Sequence, residues 1–455
     1  MPLTLSELQD IQAAELADDV EIDLETMALW SKEDAEKYFA SGGAEKPAPP
    51  KYVSEAAAPP SSGSFAWWSA AETPISLAAN SRIDAAHTDT LSALSLFADT
   101  EGVLAEKPGE VLAATGSWDY SCRIWRLGDS KKLCELNHSQ GRWVYSLACC
   151  GYLGTGSSRR VGIVSVHTGG MMGEPEHLIR LWSLDKARDF SDKDVSMLVN
   201  VEGADPTASE AAYERAGSKL AGRKFAHLRG VHAVDCCERH MATISSDLLV
   251  AWSLDRDSGR FAEACRTKNP LRVSSNPAGI KWLRGGLSLV AAGEYEEHQL
   301  PIVDLPSGLQ TIEKLHFNAG HSSDVVELAD DEPAAPSRIV AAGPNRAWLY
   351  DRRAGPEPCG RLALQGITAL ASTPSGAGGS APALLAAAGG KIHVYDVRKL
   401  PEDTKQAKVP TSLASLTSTT AGLKGMRVLG NLVVASDQAH GLSVWDVGGA
   451  PVAVS

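Results

Sequence analysis

The chain has 455 residues and a formal charge of −13, from 43 lysines and arginines against 56 aspartates and glutamates. That length exceeds one ordinary core unless the fold is a repeat or a barrel. The negative charge disfavours a general nucleic-acid or membrane-surface binder, which needs basic surface to meet phosphates.

Residues 1–43 read as helical. Leu5, Leu8, Ile11 and Leu16 form a rough apolar stripe, Ser31 and Asp34 make a cap, and Gly42-Gly43 is a stop. Helices this short are marginal alone, so their apolar faces are expected to dock on the rest of the chain or on a partner. Residues 44–64 are a Pro/Ala/Ser-rich linker. Trp67 and Trp68 follow it, either as a staple or as an exposed contact. No basic leader with an apolar run is present, and no stretch of about 20 apolar residues. Eight cysteines include no CxxC pair, and Cys149-Cys150 and Cys236-Cys237 are vicinal pairs inside apolar runs, read as small core residues. A soluble chain in the cytoplasm or nucleus is expected, and the sequon at Asn137 is read as a chance match.

From Val111 a pattern begins: an apolar run with small residues, a polar turn, then a second run ending on a large residue. "VLAATGSWDYSCRIWRL" is the first instance, and six more follow with anchors at Trp182, Trp252, Val303, Tyr350, Tyr395 and Trp445 after Trp125. Five of the six gaps between anchors are about 45 to 57 residues, near the period of propeller repeats. Each unit reads as short strands of alternating character that cannot bury both sheet faces alone. A radial array lets each sheet pack on its neighbours.

These units resemble WD repeats. The resemblance implies an all-β, seven-bladed propeller over residues 65–455, preceded by the short helical extension. In that family a His, a Ser or Thr, an Asp and a Trp form a buried hydrogen-bond chain, and the matching residues are His87, Thr115, Asp119 and Trp125. Unit 2 offers His138, Thr155 and Trp182, unit 3 keeps Asp247 and Trp252, and unit 5 keeps His321. For ring closure, Ile75–Ala85 is expected to pair with the blade that holds Trp445. The segment after Gly448-Gly449 is the alternative.

Two insertions are read at 158–177, between the second and third strands of unit 2, and at 185–225, between units 2 and 3. Both are expected on one face of the disc. Arg159, Arg160, Arg223 and Lys224 would make that sector basic, suited to an acidic or phosphorylated partner. No P-loop, G-x-S-x-G or H-E-x-x-H is present. His167, Glu176 and His177 are irregularly spaced for a metal, so no catalytic residue, metal or cofactor is expected.

The resemblance therefore implies a non-enzymatic scaffold or adaptor that binds proteins, without membrane insertion. A propeller enzyme with a central-channel site is the remote alternative. A finer alternative comes from "YDRR" and "YDVR", which place Arg353 and Arg398 in paired Y-D-x-R boxes. They resemble the boxes of WD-repeat substrate receptors that dock on the damaged-DNA-binding adaptor of cullin-RING ubiquitin ligases.

Overall fold

The structure is a computed structural model. It describes residues 75–447 except 138–142, 156–158, 169–176, 191–194, 198–230, 238, 247, 256–259, 272–277, 284–285, 296–297, 318, 320, 329–337, 374–382, 398–411 and 419–421. The chain divides into two compact units, Met1–Ala58 and Pro59–Ser455. The first unit, the linker and the Trp67-Trp68 pair lie outside the described residues.

The second unit is a seven-bladed β-propeller, and each blade is built on four antiparallel strands. After β1 (Ile75–Ala78) and β2 (Ser81–Ile83), blade 1 comprises β3 (Leu91–Asp99), β4 (Glu110–Ser117), β5 (Ser121–Arg126) and β6 (Lys131–Asn137). Blade 2 comprises β7 (Trp143–Leu153), β8 (Arg160–Thr168), β9 (His177–Leu184) and β10 (Val195–Met197). Blade 3 comprises β11 (Val231–Cys236), β12 (His240–Ser245), β13 (Leu248–Asp255) and β14 (Arg260–Lys268). Blade 4 comprises β15 (Gly279–Trp282), β16 (Ser288–Ala292), β17 (Gln299–Asp304) and β18 (Gln310–His316). Blade 5 comprises β19 (Asp324–Leu328), β20 (Arg338–Ala342), β21 (Ala347–Asp351) and β22 (Gly360–Leu362). Blade 6 comprises β23 (Ile367–Ser372), β24 (Ala383–Ala388), β25 (Lys391–Asp396) and β26 (Ala414–Thr417). Blade 7 comprises β27 (Leu423–Leu429), β28 (Leu432–Asp437) and β29 (Leu442–Asp446), and β2 completes it.

All seven anchors fall on the third strand of their blade, and all are buried: Trp125, Trp182, Trp252, Val303, Tyr350, Tyr395 and Trp445. Both faces of a blade are covered by neighbours, so its middle strands lose the polar face of an ordinary amphipathic sheet. Strand β24, Ala383–Ala388, is buried at every residue. Its hairpin to β25 is two residues long, with Gly389 and Gly390 at φ 57° and 81°, the left-handed pair that a tight hairpin of this twist requires.

The first strands line the axis, and each touches the next around the ring, β27 back to β3 included. Polar side chains on them tie blade to blade. Ser92 donates to the Val144 carbonyl, and Ser146 accepts from the Val234 N–H at 3.2 Å. Asp235 accepts from the Trp282 N–H at 2.9 Å. Ser323 donates to the Ile367 carbonyl at 2.9 Å, and Thr368 to the Leu423 carbonyl at 2.8 Å.

The closure differs in part from the sequence expectation. Only β2 joins the blade of Trp445, with Ser81 opposite Val444 and Ile83 opposite Leu442. Strand β1 lies parallel to β26 instead, as a fifth strand of blade 6. Leu77 and Ala79 pack on the apolar cluster shared by blades 6 and 7, which draws this stretch across the otherwise open edge of β26. Asn80 makes the crossing, its N–H donating to the Val444 carbonyl at 2.8 Å.

Blade 2 also differs. "YLGTGSS" was expected to hold the second strand, with Thr155 in the hydroxyl position. It is the end of β7 and a turn in which Gly154 takes φ 81°. The second strand is β8, inside the expected 158–177 insertion. The true connection from β8 to β9 is residues 169–176, outside the described residues.

Arg82 on the closing strand reaches the fully buried carboxylate of Asp437 on β28, which also accepts the N–H groups of Ala439 and Gly441 at 2.8 and 3.0 Å. Replacing Arg82 by Met leaves that buried charge without its cation. Urea unfolding of Arg82→Met is expected to show a loss of about 1–3 kcal/mol, the lower part of the usual range because two amides remain. A Ser76→Ala control on β1 is expected to stay within about 0.5 kcal/mol of the parent.

Candidate functional site at the mouth of the channel

Strand register decides which third-strand anchors find a polar partner. Trp125 stands opposite Ala113, and the residue two further along β4 is Thr115. The same step from Trp182 gives Ser165 and from Trp252 gives Thr243. The indole N–H donates to that hydroxyl at 3.0, 2.8 and 2.9 Å in blades 1, 2 and 3. In blades 4 to 7 the step gives Ala291, Ala341, Ala386 and Ala435. The Trp445 N–H accordingly has no acceptor among the described residues.

Among the described residues, only blade 1 carries the full chain. The His87 Nε2 is 2.8 Å from the Thr115 hydroxyl, and its Nδ1 is 3.0 Å from an Asp119 oxygen. The Asp119 carboxylate can only accept, so the proton of the neutral imidazole sits on Nδ1, facing it, and Nε2 is left as an acceptor toward the Thr115 hydroxyl. Burial lowers the His87 pKa against the pull of Asp119. Burial works to raise Asp119, but hydrogen bonds from His87, the Thr88 N–H and Ser121 hold it well below the ordinary carboxylate range. In blade 2, Ser165 meets His167 at 2.7 Å, a residue on its own strand. His138 and Asp247 lie outside the described residues, and His321 is exposed. In blade 1 the chain holds the turn between β4 and β5 against the sheet, with Asp119 also accepting from the Thr88 and Ser121 N–H groups.

Of the basic residues singled out in the sequence, Arg159, Arg160 and Arg353 are among the described residues. Arg159 belongs to the connection between the first and second strands of blade 2 and pairs with Glu101 in the matching connection of blade 1, and Arg160 opens β8. Connections alternate ends in an antiparallel sheet. The Arg159–Glu101 pair therefore lies at the end of the sheet opposite the Thr168 end of β8. Arg223, Lys224 and Arg398 lie outside the described residues, as does Glu176. Arg353 closes on the aspartate of its own box, with Nε and Nη2 donating to Asp351 at 2.9 and 2.6 Å. Its neighbour Arg352 pairs with Glu313 of blade 4 at 2.7 Å.

Candidate side chains missed in the sequence converge at the other end of the axis. Five first strands carry a β-bulge at their start, and the extra residues are Ser92, Tyr145, His232, Thr368 and Lys424. A bulge re-aims the extra side chain. All five line one cavity of about 560 Å³ along the axis. The signal was present as a recurring apolar–x–small–apolar tetrad: "LSAL", "VYSL", "VHAV", "ITAL" and "LKGM". The bulged residue is x, and the small residue follows it.

Aromatic rings crown this mouth. Trp118, in the turn between β4 and β5, is pinned by its N–H to the Thr90 carbonyl at 3.0 Å. Its ring stacks on Trp143 with centroids 5.3 Å apart and approaches Tyr145 at 6.2 Å. Tyr145 meets the edge of His232 at 5.8 Å. Trp143 remains 40% exposed, and Tyr120 of the same turn 42%. Burial lowers His232, so its ring is neutral at neutral pH. Further along the axis the cavity meets Asp235, Lys281, Asp324 and Arg427. Cys149 and Cys236 also line it, but burial pushes the Cys149 thiol up to about 11 and holds Cys236 well above the ordinary thiol range, which suppresses thiolate chemistry.

No model of a known protein family matches the chain. No curated protein matches it either. No helix among the described residues is long and apolar enough to cross a membrane.

The chain in blade 1 sets an acid limb for stability. The folded pKa of Asp119 lies below its unfolded value, so its contribution is complete above about pH 4 and is lost as pH falls further. Melting temperature followed from pH 6 to pH 2 is expected to fall less steeply in Asp119→Asn than in the parent. That variant is expected to be the less stable of the two at pH 6.

Proposed function

We propose that the chain is a non-enzymatic, WD-repeat-type interaction platform that captures a segment of a partner protein at the aromatic mouth of its channel. The stacked pair Trp118–Trp143 carries the reading. An exposed indole, Trp143, pre-stacked on the partly buried Trp118 beside a concave opening is the kind of surface on which a few aromatic side chains supply most of a binding energy. The WD-repeat assignment is supported by the complete His87–Thr115–Trp125–Asp119 chain and by its remnants in blades 2 and 3. Buried free thiols at Cys122, Cys134 and Cys150 fit work in the reducing cytoplasm or nucleus.

The ligase-receptor reading draws on the paired Y-D-x-R boxes. The Arg353 guanidinium is engaged on both sides of Asp351, and would have to leave that fork to reach an adaptor. The mouth is therefore favoured as the working surface.

A photo-crosslinking residue at position 143 of the full chain is expected to trap partner protein in cells. Partner recovered in this way is expected to bind Trp143→Ser and Trp118→Ala about thirtyfold more weakly, the loss typical of a central aromatic contact. Unchanged affinity in both, with unchanged melting, would contradict the reading. Selective loss of partner in Arg353→Ala would move support to the receptor alternative.

A further inference from the structure

Below the aromatic rim the channel carries charge that partner capture alone does not use. Lys281 of blade 4 and Lys424 and Arg427 of blade 7 line the same cavity as Asp235 and Asp324. Both carboxylates are committed to backbone. Asp235 accepts from the Trp282 N–H at 2.9 Å, and Asp324 from those of Leu370 and Val325 at 2.8 and 2.9 Å. The cations are less occupied. The Lys281 ammonium is 4.0 Å from Asp235, beyond a direct hydrogen bond. Arg427 donates to the Met426 carbonyl at 2.8 Å, an acceptor that carries no charge.

Lys281 and Arg427 are close enough to feel each other. Repulsion by Arg427 pulls the Lys281 ammonium below the ordinary lysine range, although Asp235 and Asp324 pull the other way. Two cations from different blades thus face one cavity in a chain whose net charge is −13. An acceptor-rich anion between the two would relieve the repulsion.

We propose that the channel is an anion site which holds a compact phosphate-type group between Lys281 and Arg427, with Lys424 at its rim. A phosphate suits the place better than a carboxylate. Its second charge answers the second cation, and its oxygens point toward donors on opposite walls. The group is either free phosphate or a phosphorylated side chain on the captured segment. The second source rests on the partner-capture reading, whereas the site itself does not.

Calorimetric titration of the full chain separates these cases. The probes are inorganic phosphate, a short phosphoserine peptide with flanking aliphatic residues, and the same peptide without phosphate, each against chloride at matched ionic strength. Inorganic phosphate is expected to bind saturably, and Lys281→Met and Arg427→Gln are each expected to weaken it about tenfold or more. Asp235→Asn keeps an acceptor for the Trp282 N–H and removes a negative charge. It is expected to tighten phosphate several-fold, a gain that misfolding does not produce. Phosphopeptide binding that exceeds that of free phosphate supports the site and assigns the source to a partner. Binding of free phosphate alone supports the site and counts against its use by a phosphorylated segment. Peptide binding that ignores both phosphorylation and the two cation variants leaves partner capture standing and overturns the anion site. Absence of saturable binding by any phosphate-bearing probe overturns it as well.

Discussion

A small sheet with two apolar faces is stable only when both are covered, and the molecule is organised by that requirement. Strands such as β24 are buried throughout because neighbouring blades take the place that solvent has on one side of an ordinary antiparallel sheet. The cover must be continuous around the ring. A gap anywhere would expose the middle strands of two blades at once. Closure by β2 on β29 is therefore the join on which the remaining interfaces depend, and the buried Asp437 with its Arg82 partner sits beside it.

The same radial arrangement creates the candidate site. First strands converge on the axis, where there is no room for large side chains from all seven. Small residues at the bulge tetrads let the strands approach, and the extra residue of each bulge is turned toward the channel. Blades 4 and 5 begin without a bulge, so the ring of bulged residues is interrupted there. The aromatic cluster stands on the opposite arc, on blades 1, 2 and 3. The mouth thus has an apolar side and, deeper, a cationic side. A bound segment would meet both in a fixed orientation.

The third strands were the legible part of the sequence. Trp125, Trp182, Trp252 and Trp445 are large, recur at near-regular spacing and follow recognisable turns, so their burial imposes a strong pattern. Even Val303, the faintest anchor, lies where the spacing put it. The second strand of blade 2 was misread because "YLGTGSS" has the small-residue character of such a strand, while the connection beyond β8 lengthens the unit. The closing segment was half legible. Its apolar character signalled a strand, but nothing in the sequence divides one strand between two blades as Asn80 does. The channel was hidden for another reason. Ser92, His232 and Lys424 are polar residues near strand starts, which read as ordinary turn chemistry until five tetrads are aligned. The cation pair was invisible, because Lys281 and Arg427 are far apart in sequence and only the fold brings both to one cavity.

Hydrogen exchange followed by mass spectrometry tests the closed ring most directly. Peptides spanning 79–84 and 440–446 are expected to be protected like the β4–β5 pair of blade 1 and to lose protection together as denaturant is raised. Exchange of 79–84 at the rate of a free chain, with β28 and β29 still protected, would contradict the closure and the account built on it.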